Sequence, residues 1–434
     1  MSFPRYSKYK DSGVEWLGQI PEHWQLKPLY GSAVERYESN KGMVEDNLLS
    51  LSYGKIVQKD ISSNDGLLPE SFETYQVVHP GDIVFRLTDL QNDKRSLRSA
   101  LVEEKGIITS AYLAVTPRGL DSSFTSYLFR AYDVTKVFYS MGGGLRQSMK
   151  FSDVKRMPTL IPPLDEQTRI AAFLDQETAK IDALVAEQER LMALLKEKLQ
   201  AVISHTVTKG LHDQSFPLKR LKFLIDGIET GFTPNSHNSP ATTGQCGVLK
   251  SGCVNGGIFD PNENKLLADD VDPPSDLEVK VGDVLMSRAS GSSELIGSVA
   301  QVREQPSARL FLSDKTFRVQ VKESSFDAAF FVVAMGSSFL RNQLLQIISG
   351  AEGLAKNVAQ SDIREFQMPF PSLTEQRAIV THLNTETVKF DTLTTEAQRA
   401  IDLLQERRTA LISAAVTGQI DVRQVLNSPA ATKN

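Results

Sequence analysis

Cysteine is scarce in this 434-residue chain, with only Cys246 and Cys253. Two are too few for a disulfide framework and agree with a reducing compartment. No apolar run approaches the roughly 18 residues that suggest a membrane span, and the opening MSFPRYSKYKDSG lacks the apolar centre of a signal peptide. The expectation is a cytoplasmic protein with no membrane association. The six histidines, His23, His79, His205, His212, His237 and His382, are scattered, and the two cysteines have no partner cluster. That spacing argues against zinc or any other metal site. Positive charge is not in excess either: the net charge is −5 and the pI about 5.8. This excludes a general nucleic-acid coat protein but leaves local basic surfaces open.

Catalytic signatures are also missing. Asp272-Pro273-Pro274-Ser275 has the start of an amino-methyltransferase motif, but Ser275 stands where an aromatic should stack on a flipped base. No glycine fingerprint follows a strand to hold a methyl-donor cofactor, so the segment reads as a turn. Asp82 with Glu103 and Lys105 has nuclease-like spacing. Yet Gly81-Asp82 recurs as Gly282-Asp283 with no Glu-x-Lys after it, which favours a structural turn. Gly142-Gly143-Gly144 lacks the Lys-Ser/Thr of a phosphate loop and reads as a turn. The residues define no enzyme, and no catalytic residue is assigned.

What is present is a repeat. Residues 161–211 and 370–420 align at an offset of 209 with no gap, pairing Pro162 with Pro371, Glu166 with Glu375, Leu184 with Leu393, Leu194 with Leu403 and Val207-Thr208 with Val416-Thr417. Roughly two positions in five are identical, which identifies an internal duplication. The apolar period is helical. Leu174, Ile181, Leu195 and Val202 recur every seven residues with Leu184 and Leu191 interleaved; in the second copy Leu383, Phe390, Leu404 and Leu411 do so with Leu393 interleaved. Pro162-Pro163 and Pro371 suit helix starts, and Gly210 and Gly418 suit helix ends. Two such helices are expected to bury their seams on each other.

The segments between the helices also echo one another. Residues 1–158 open with Trp16, Leu17, Ile20 and Trp24, expected to pin the terminus to a core, then carry short β-rich runs and a helical run from Phe124. Residues 213–368 repeat that order, with helical signal from Phe326 to Ile348. The expected organisation is a first mixed α/β domain at 1–158, a spacer helix at 159–212, a second domain at 213–368, a spacer helix at 369–422 and a disordered tail at 423–434. The fold class is α/β (α+β), with an internal repeat and two long helices that bury their seams on each other. The domains share layout but few residues. The helices therefore do one job twice, while the domains do different ones.

Cations mixed with amides and hydroxyls supply candidate duplex-DNA contacts, since phosphate anchoring needs the former and base edges the latter. In the first domain they are Tyr53, Lys55, Arg86, Gln91, Asn92, Lys94, Arg95, Ser96, Arg98, Arg146, Gln147 and Lys150. The second domain has a sparser set: Lys250, Ser251, Asn255, Arg288, Ser290, Ser292, Ser293, Lys356 and Asn357.

These residues come with motifs that resemble a known family. YKDSGVEWLGQIPEHW near the amino terminus, IPPLDEQ and FPSLTEQ leading into the helices, and AVISHTVTKGL and ALISAAVTGQI closing them are similar to the HsdS specificity subunits of Type I restriction-modification systems. The resemblance spans essentially the whole chain. One departure is that the second half has no full SGVEWLG lead. The resemblance implies a non-catalytic subunit whose two target-recognition domains, separated by an antiparallel coiled coil of the two spacer helices and related by an internal pseudo-two-fold repeat, each read half of a split, asymmetric double-stranded DNA site. It implies that the helices bind two methyltransferase subunits, that these bring S-adenosylmethionine, and that restriction subunits join for cleavage; this chain holds no cofactor of its own.

Helix geometry agrees. A helix over Ile181–Val207 is about 40 Å long, close to the roughly 34–36 Å between groove faces one DNA turn apart. Two other readings stay open on the residues: a coiled-coil adaptor with no DNA role, and a DNA methyltransferase or nuclease. The basic, amide-rich loops weigh against the first, and the absent catalytic signatures against the second.

Overall fold

The computed structural model describes residues 3–61, 69, 71–88, 97–141, 149–348 and 356–423. Two compact units divide the chain: Met1–Gln188 with Arg399–Asn434, and Glu189–Gln398.

In the first unit, strands β1 (Ala33–Arg36), β2 (Ile83–Phe85), β3 (Ser99–Leu101) and β4 (Leu113–Pro117) form an antiparallel sheet in the order β1-β4-β2-β3. Its centre is apolar on both faces. Ile83 and Phe85 enter one core with helix α1 (Ser122–Val134), whereas Val84 enters another with Leu49 and Leu51. Alternation along a strand sends neighbours to opposite faces, so a sheet covered on both sides reads as an unbroken apolar run. Beyond α1, helix α2 covers Leu164–Lys209.

The second unit repeats the plan. Strands β5 (Ile225–Thr230), β6 (Val284–Ser287), β7 (Val299–Gln301) and β8 (Thr316–Val321) take the order β5-β8-β6-β7. Val284 and Met286 face the core shared with helix α3 (Ala328–Met335), and Leu285 faces the opposite one. Helix α4 covers Leu373–Val416. The fold-class expectation of mixed α/β segments with two long helices packed together therefore holds.

Both Gly-Asp pairs are turns into the central strand. Gly81 and Gly282 have φ of 93° and 99°, a region glycine enters without steric penalty. Asp82 Oδ2 accepts from the His79 N–H at 2.9 Å, and Asp283 Oδ2 accepts from the Lys280 N–H at 2.9 Å. Asp82 is buried and also accepts from Arg36 Nε and Thr116 Oγ1. This is a structural acid with every neighbour occupied in the sheet.

The repeated Glu-Gln pair has a physical explanation. Asp121 caps α1 by accepting from the Phe124 N–H, and Asp327 caps α3 by accepting from the Phe330 N–H. Each capping residue's own N–H is then taken by a glutamine at the start of a long helix: Asp121 N–H to Gln167 Oε1 at 2.8 Å, and Asp327 N–H to Gln376 Oε1 at 2.7 Å. The glutamine amides donate back to Pro162 O and Pro371 O. The adjacent glutamates differ. Glu166 is buried and accepts from Tyr6 Oη, Trp24 Nε1 and His23 Nε2. Glu375 is only half-buried, in a copy whose sequence has no equivalent amino-terminal lead. Of the expected pinning residues, Leu17, Ile20 and Trp24 are buried; Trp16 remains 44% exposed while its ring meets Tyr132 edge-on.

The long helices run further than the 27-residue stretch singled out from sequence, to 46 and 44 residues. Gly210 and Gly418, with φ of 67° and 75°, follow their ends as left-handed caps. Within the first unit the start of α2 lies against the end of α4: Ile170 and Leu174 share a core with Leu411, Ile412 and Ala415, and Arg408 Nε donates to Asp182 at 3.1 Å. Within the second unit the end of α2 lies against the start of α4, with Val207, Ile379 and Leu383 in one core. Each unit thus contains an antiparallel pair.

One column of the expected seam is corrected. Leu174, Ile181, Leu383, Phe390 and Leu411 are buried, and Leu195, Val202 and Leu404 are partly buried, but Leu184, Leu191 and Leu393 are 46%, 43% and 52% exposed. The second inner column lies four residues after the first rather than three. It holds Thr178 and Val185 with Ile401, Arg408 and Ala415 in the first unit, and Met192, Leu199 and Thr206 with Thr387 and Thr394 in the second. Both offsets satisfy a seven-residue period, and hydrophobicity favoured the wrong one because threonines stand inside and leucines outside.

Replacing Gln376, which is fully buried, by Ala leaves the Asp327 N–H and the Pro371 carbonyl unpaired. The expected cost is about 1–3 kcal/mol, read as a lower denaturant midpoint; a change within about 0.5 kcal/mol would remove the glutamine from this role.

Candidate nucleic-acid interface

In the second unit, three sequence-remote candidate segments come together. Ala289–Ser290 pairs antiparallel with Lys356–Asn357, setting Ser290 opposite Lys356. The Val358 N–H donates to Arg288 O at 3.2 Å, continuing that contact. The 3-10 stretch Ser251–Gly257, which follows Lys250, lies against Ala289–Ser290. It is broken at Asn255 and Gly256, where the backbone turns and leaves Asn255 exposed. Ser292 is exposed and Ser293 half-buried. These segments, from residues 250–257, 289–293 and 356–357, bring two lysines, two amides and several hydroxyls together.

The first unit repeats the frame. The Met149 N–H donates to Leu87 O at 2.9 Å, which joins the segment of exposed Lys150 to that of Arg86, and 149 is the counterpart of 358 at the repeat offset. Tyr53 and Lys55 sit at the turn of a hairpin joining Leu49–Ser52 to Lys55–Gln58, with Tyr53 77% exposed. A cleft of about 1030 Å³ in this unit is lined in part by Tyr53, Lys55, Glu103, Glu104, Arg130 and Arg408. Candidates Gln91, Asn92, Lys94, Arg95, Ser96, Arg146 and Gln147, and the glycine run 142–144, lie outside the described residues.

Arg98 is removed from the candidates by burial. It is fully enclosed; its N–H bonds to Asp133 Oδ2, its Nη1 donates to Thr88 O at 3.1 Å, and its guanidinium lies 6.0 Å from the Tyr139 ring centre. Arg288 is half-buried and partly engaged, with Nη1 donating to Asp314 O at 3.0 Å and the guanidinium over Phe317.

Two further arginines, missed in the sequence, hold loops in place. Arg341 donates to the carbonyls of Ile296, Ser293 and Glu294, and Arg130 to those of Gly54 and Ser99. A lone arginine inside a helical run carries no local signal that its partner is a distant carbonyl.

Among the described residues no group of three His, Cys, Asp or Glu could hold a metal. Burial pushes the Cys253 thiol up to about 12, and a neutral buried thiol is a poor nucleophile. Ser275, in the Asp-Pro-Pro segment, begins a 3-10 turn. Among the described residues no single helix is long and apolar enough to cross a membrane.

The fold, two α/β units each closed by an antiparallel helix pair, is similar to that of a solved HsdS subunit. An HsdS subunit from Thermoanaerobacter tengcongensis superposes with a TM-score of 0.51 at 16% identity, covering 92% of this chain and 98% of that one. A chain solved in a study of complex assembly and conformational transition of the type I R-M system gives 0.66 at 16% identity over the same shares. In sequence, the Type I restriction enzyme EcoKI specificity subunit of Escherichia coli K12 is 21% identical over 433 residues, 95% of this chain and 92% of the relative. A putative counterpart from Methanocaldococcus jannaschii, MjaX, is 20% identical over 94% of this chain and 96% of its own length. No protein-family model matches the sequence. Together the relatives and the fold support an HsdS-family protein.

Arg98→Ala is expected to destabilise the first unit by roughly 2–3 kcal/mol, because it empties a packed site and strands the Thr88 carbonyl. Unfolding midpoints would register the loss, while duplex affinity per folded molecule stays unchanged. A stable variant that has lost DNA affinity would restore Arg98 as a contact residue.

Proposed function

We propose that this chain is the DNA-recognition specificity subunit of a Type I restriction-modification complex, with no catalytic centre of its own. Its relatives are specificity subunits over nearly their full length, which supports the role. Each unit reads one half of a split, asymmetric duplex site. In the second unit the readers are Lys250, Ser251, Asn255, Ser290, Ser292, Ser293, Lys356 and Asn357, with Arg288 helping to shape the loop face; in the first they are Tyr53, Lys55, Arg86 and Lys150 with Gln91, Asn92, Lys94, Arg95, Ser96, Arg146 and Gln147. The observation that carries this reading is duplication with divergence: the two sheets have the same strand order, while the loops on them hold different side chains.

The long helices set the gap between half-sites and dock two methyltransferase subunits, which supply S-adenosylmethionine and the adenine chemistry; restriction subunits complete the complex. The exposed leucines support the docking. The first unit exposes Leu184 and Leu403, and the second exposes their repeat counterparts Leu393 and Leu194. Leucines left outside at matching positions in both copies favour two equal binding surfaces. An adaptor that binds only protein would also use them, but it would not need the convergent polar loops.

Three measurements test the proposal. Methylation mapping in cells carrying this chain and its methyltransferase is expected to give one split, non-palindromic motif with modified adenine in each half; no such motif would sink the reading. Deleting one heptad from each long helix removes about 10 Å of rise, so the gap is expected to shrink by roughly three base pairs while both half-sites persist; an unchanged gap would refute the ruler. Leu184→Glu with Leu403→Glu is expected to lower bound methyltransferase from two copies to one by native mass spectrometry, with the chain's own unfolding unaltered. Retention of both copies would move the docking surface elsewhere.

A further inference from the structure

We infer that Tyr53 makes a ring-face contact with the bases of the half-site read by the first unit and that Arg130 is the positioning residue holding it there, an inference resting on the DNA-reading function proposed above. The first observation is conformational. Ser52 pairs with Lys55, leaving a two-residue turn of Tyr53 and Gly54 with φ of 45° and 75°. Turns with positive φ at both central residues match strand twist and favour Asn, Asp or Gly first. A bulky Cβ-bearing residue there is strained. Nor does burial compensate, since Tyr53 is 77% exposed.

The second observation is the clamp. Arg130 reaches from α1 to the turn, where its Nη2 bonds to Gly54 O and donates to Ser99 O at 2.9 Å, joining the hairpin tip to β3. A Cβ on Gly54 would collide with that guanidinium, so this glycine serves both the positive φ and the close approach. The turn is thereby fixed in a conformation its aromatic residue disfavours, with the ring turned to solvent and Lys55 exposed beside it. An aromatic held in this way can lay its ring face against the apolar edge of a base in a groove, such as a thymine methyl group, and a cation next to it suits a phosphate.

The third observation is the counterpart in the second unit. Leu48 bridges Ile107 in parallel, as Cys246–Val248 pairs in parallel with Arg309–Phe311, so the connection after Leu249 takes the topological place of the Tyr53 turn. Its exposed apolar group is Ile258, at 75%. The corresponding connection therefore exposes an aromatic in one unit and an aliphatic in the other, a difference that suits readers of unlike half-sites.

The test uses the assembly of this chain with its methyltransferase and duplexes bearing the motif mapped by methylation. Tyr53→Asn installs the favoured Asn-Gly turn, so thermal stability is expected to rise while duplex affinity falls about tenfold to a hundredfold. The loss should be confined to discrimination at first-half base pairs, with second-half substitutions behaving as in the parent. Tyr53→Phe is expected to stay within about twofold of the parent, since the ring face acts rather than the hydroxyl. Arg130→Ala should weaken the same half, yet add nothing in a Tyr53→Ala background, because it acts through Tyr53. Parental affinity and preference in Tyr53→Asn, or equal loss at both halves, would overturn the assignment. A parent assembly that methylates no split motif would instead overturn the function on which it rests.

Discussion

Within each unit, the opening turns of one long helix are buried against the closing turns of the other, and the remaining structure depends on that contact. Ile170 and Leu174 meet Leu411 and Ala415 in one unit; Ile379 and Leu383 join Val207 in the other. The inner columns admit Thr178, Thr206, Thr387 and Thr394, small β-branched residues that let helices approach more closely than leucine would. Those same cores take in the sheets and the short helices, and Gln167 and Gln376 tie each long helix to the capped start of its neighbour. A helix pair and its α/β segment therefore share one core in each unit.

This arrangement explains what the duplication retained and what it released. Positions that hold frame to helix recur with the same atoms: the capping aspartates, the glutamines, the Gly-Asp turns and the backbone bonds from 149 to 87 and from 358 to 288. Positions on the loops do not. The connection after Ser52 is a two-residue turn, whereas the one after Leu249 includes a seven-residue 3-10 stretch with a kink. Loops can diverge in this way because their backbone groups are satisfied locally and their side chains face water.

The repeat, the helices, the helix-ending glycines and the β-rich runs were all legible in the sequence, because period and turn chemistry are local signals. The inner helix columns were not. A seven-residue period fits an interleave of three or four equally well, and Leu184, Leu191 and Leu393 pulled the choice toward three, although partly buried Thr387 and Thr394 stand inside. Arg98 was misjudged for a related reason: a cation among polar residues reads as surface, and only the fold reveals that Thr88 O and Tyr139 enclose it. Arg130 and Arg341 could not be recognised because the carbonyls they bind lie far away in sequence.

These arginines bear on how an acidic chain can read an acidic polymer. Arg98, Arg130 and Arg341 bond to backbone carbonyls, and Arg318 is held by Glu229 and Asp283. Their charge is used to set loop shape, so a count of basic residues overstates what faces phosphate. Of the second unit's candidates, Lys250 lies 3.9 Å from Glu263, while Asn255 and Ser292 are exposed and neutral. For the proposed reader, discrimination then comes from edge and face contacts on loops locked from behind. Neutral contacts act over a few ångströms only, so they reward correct placement and tolerate little error in it. Loop-locking arginines and a rigid helix pair in each unit are the structural counterpart of that requirement.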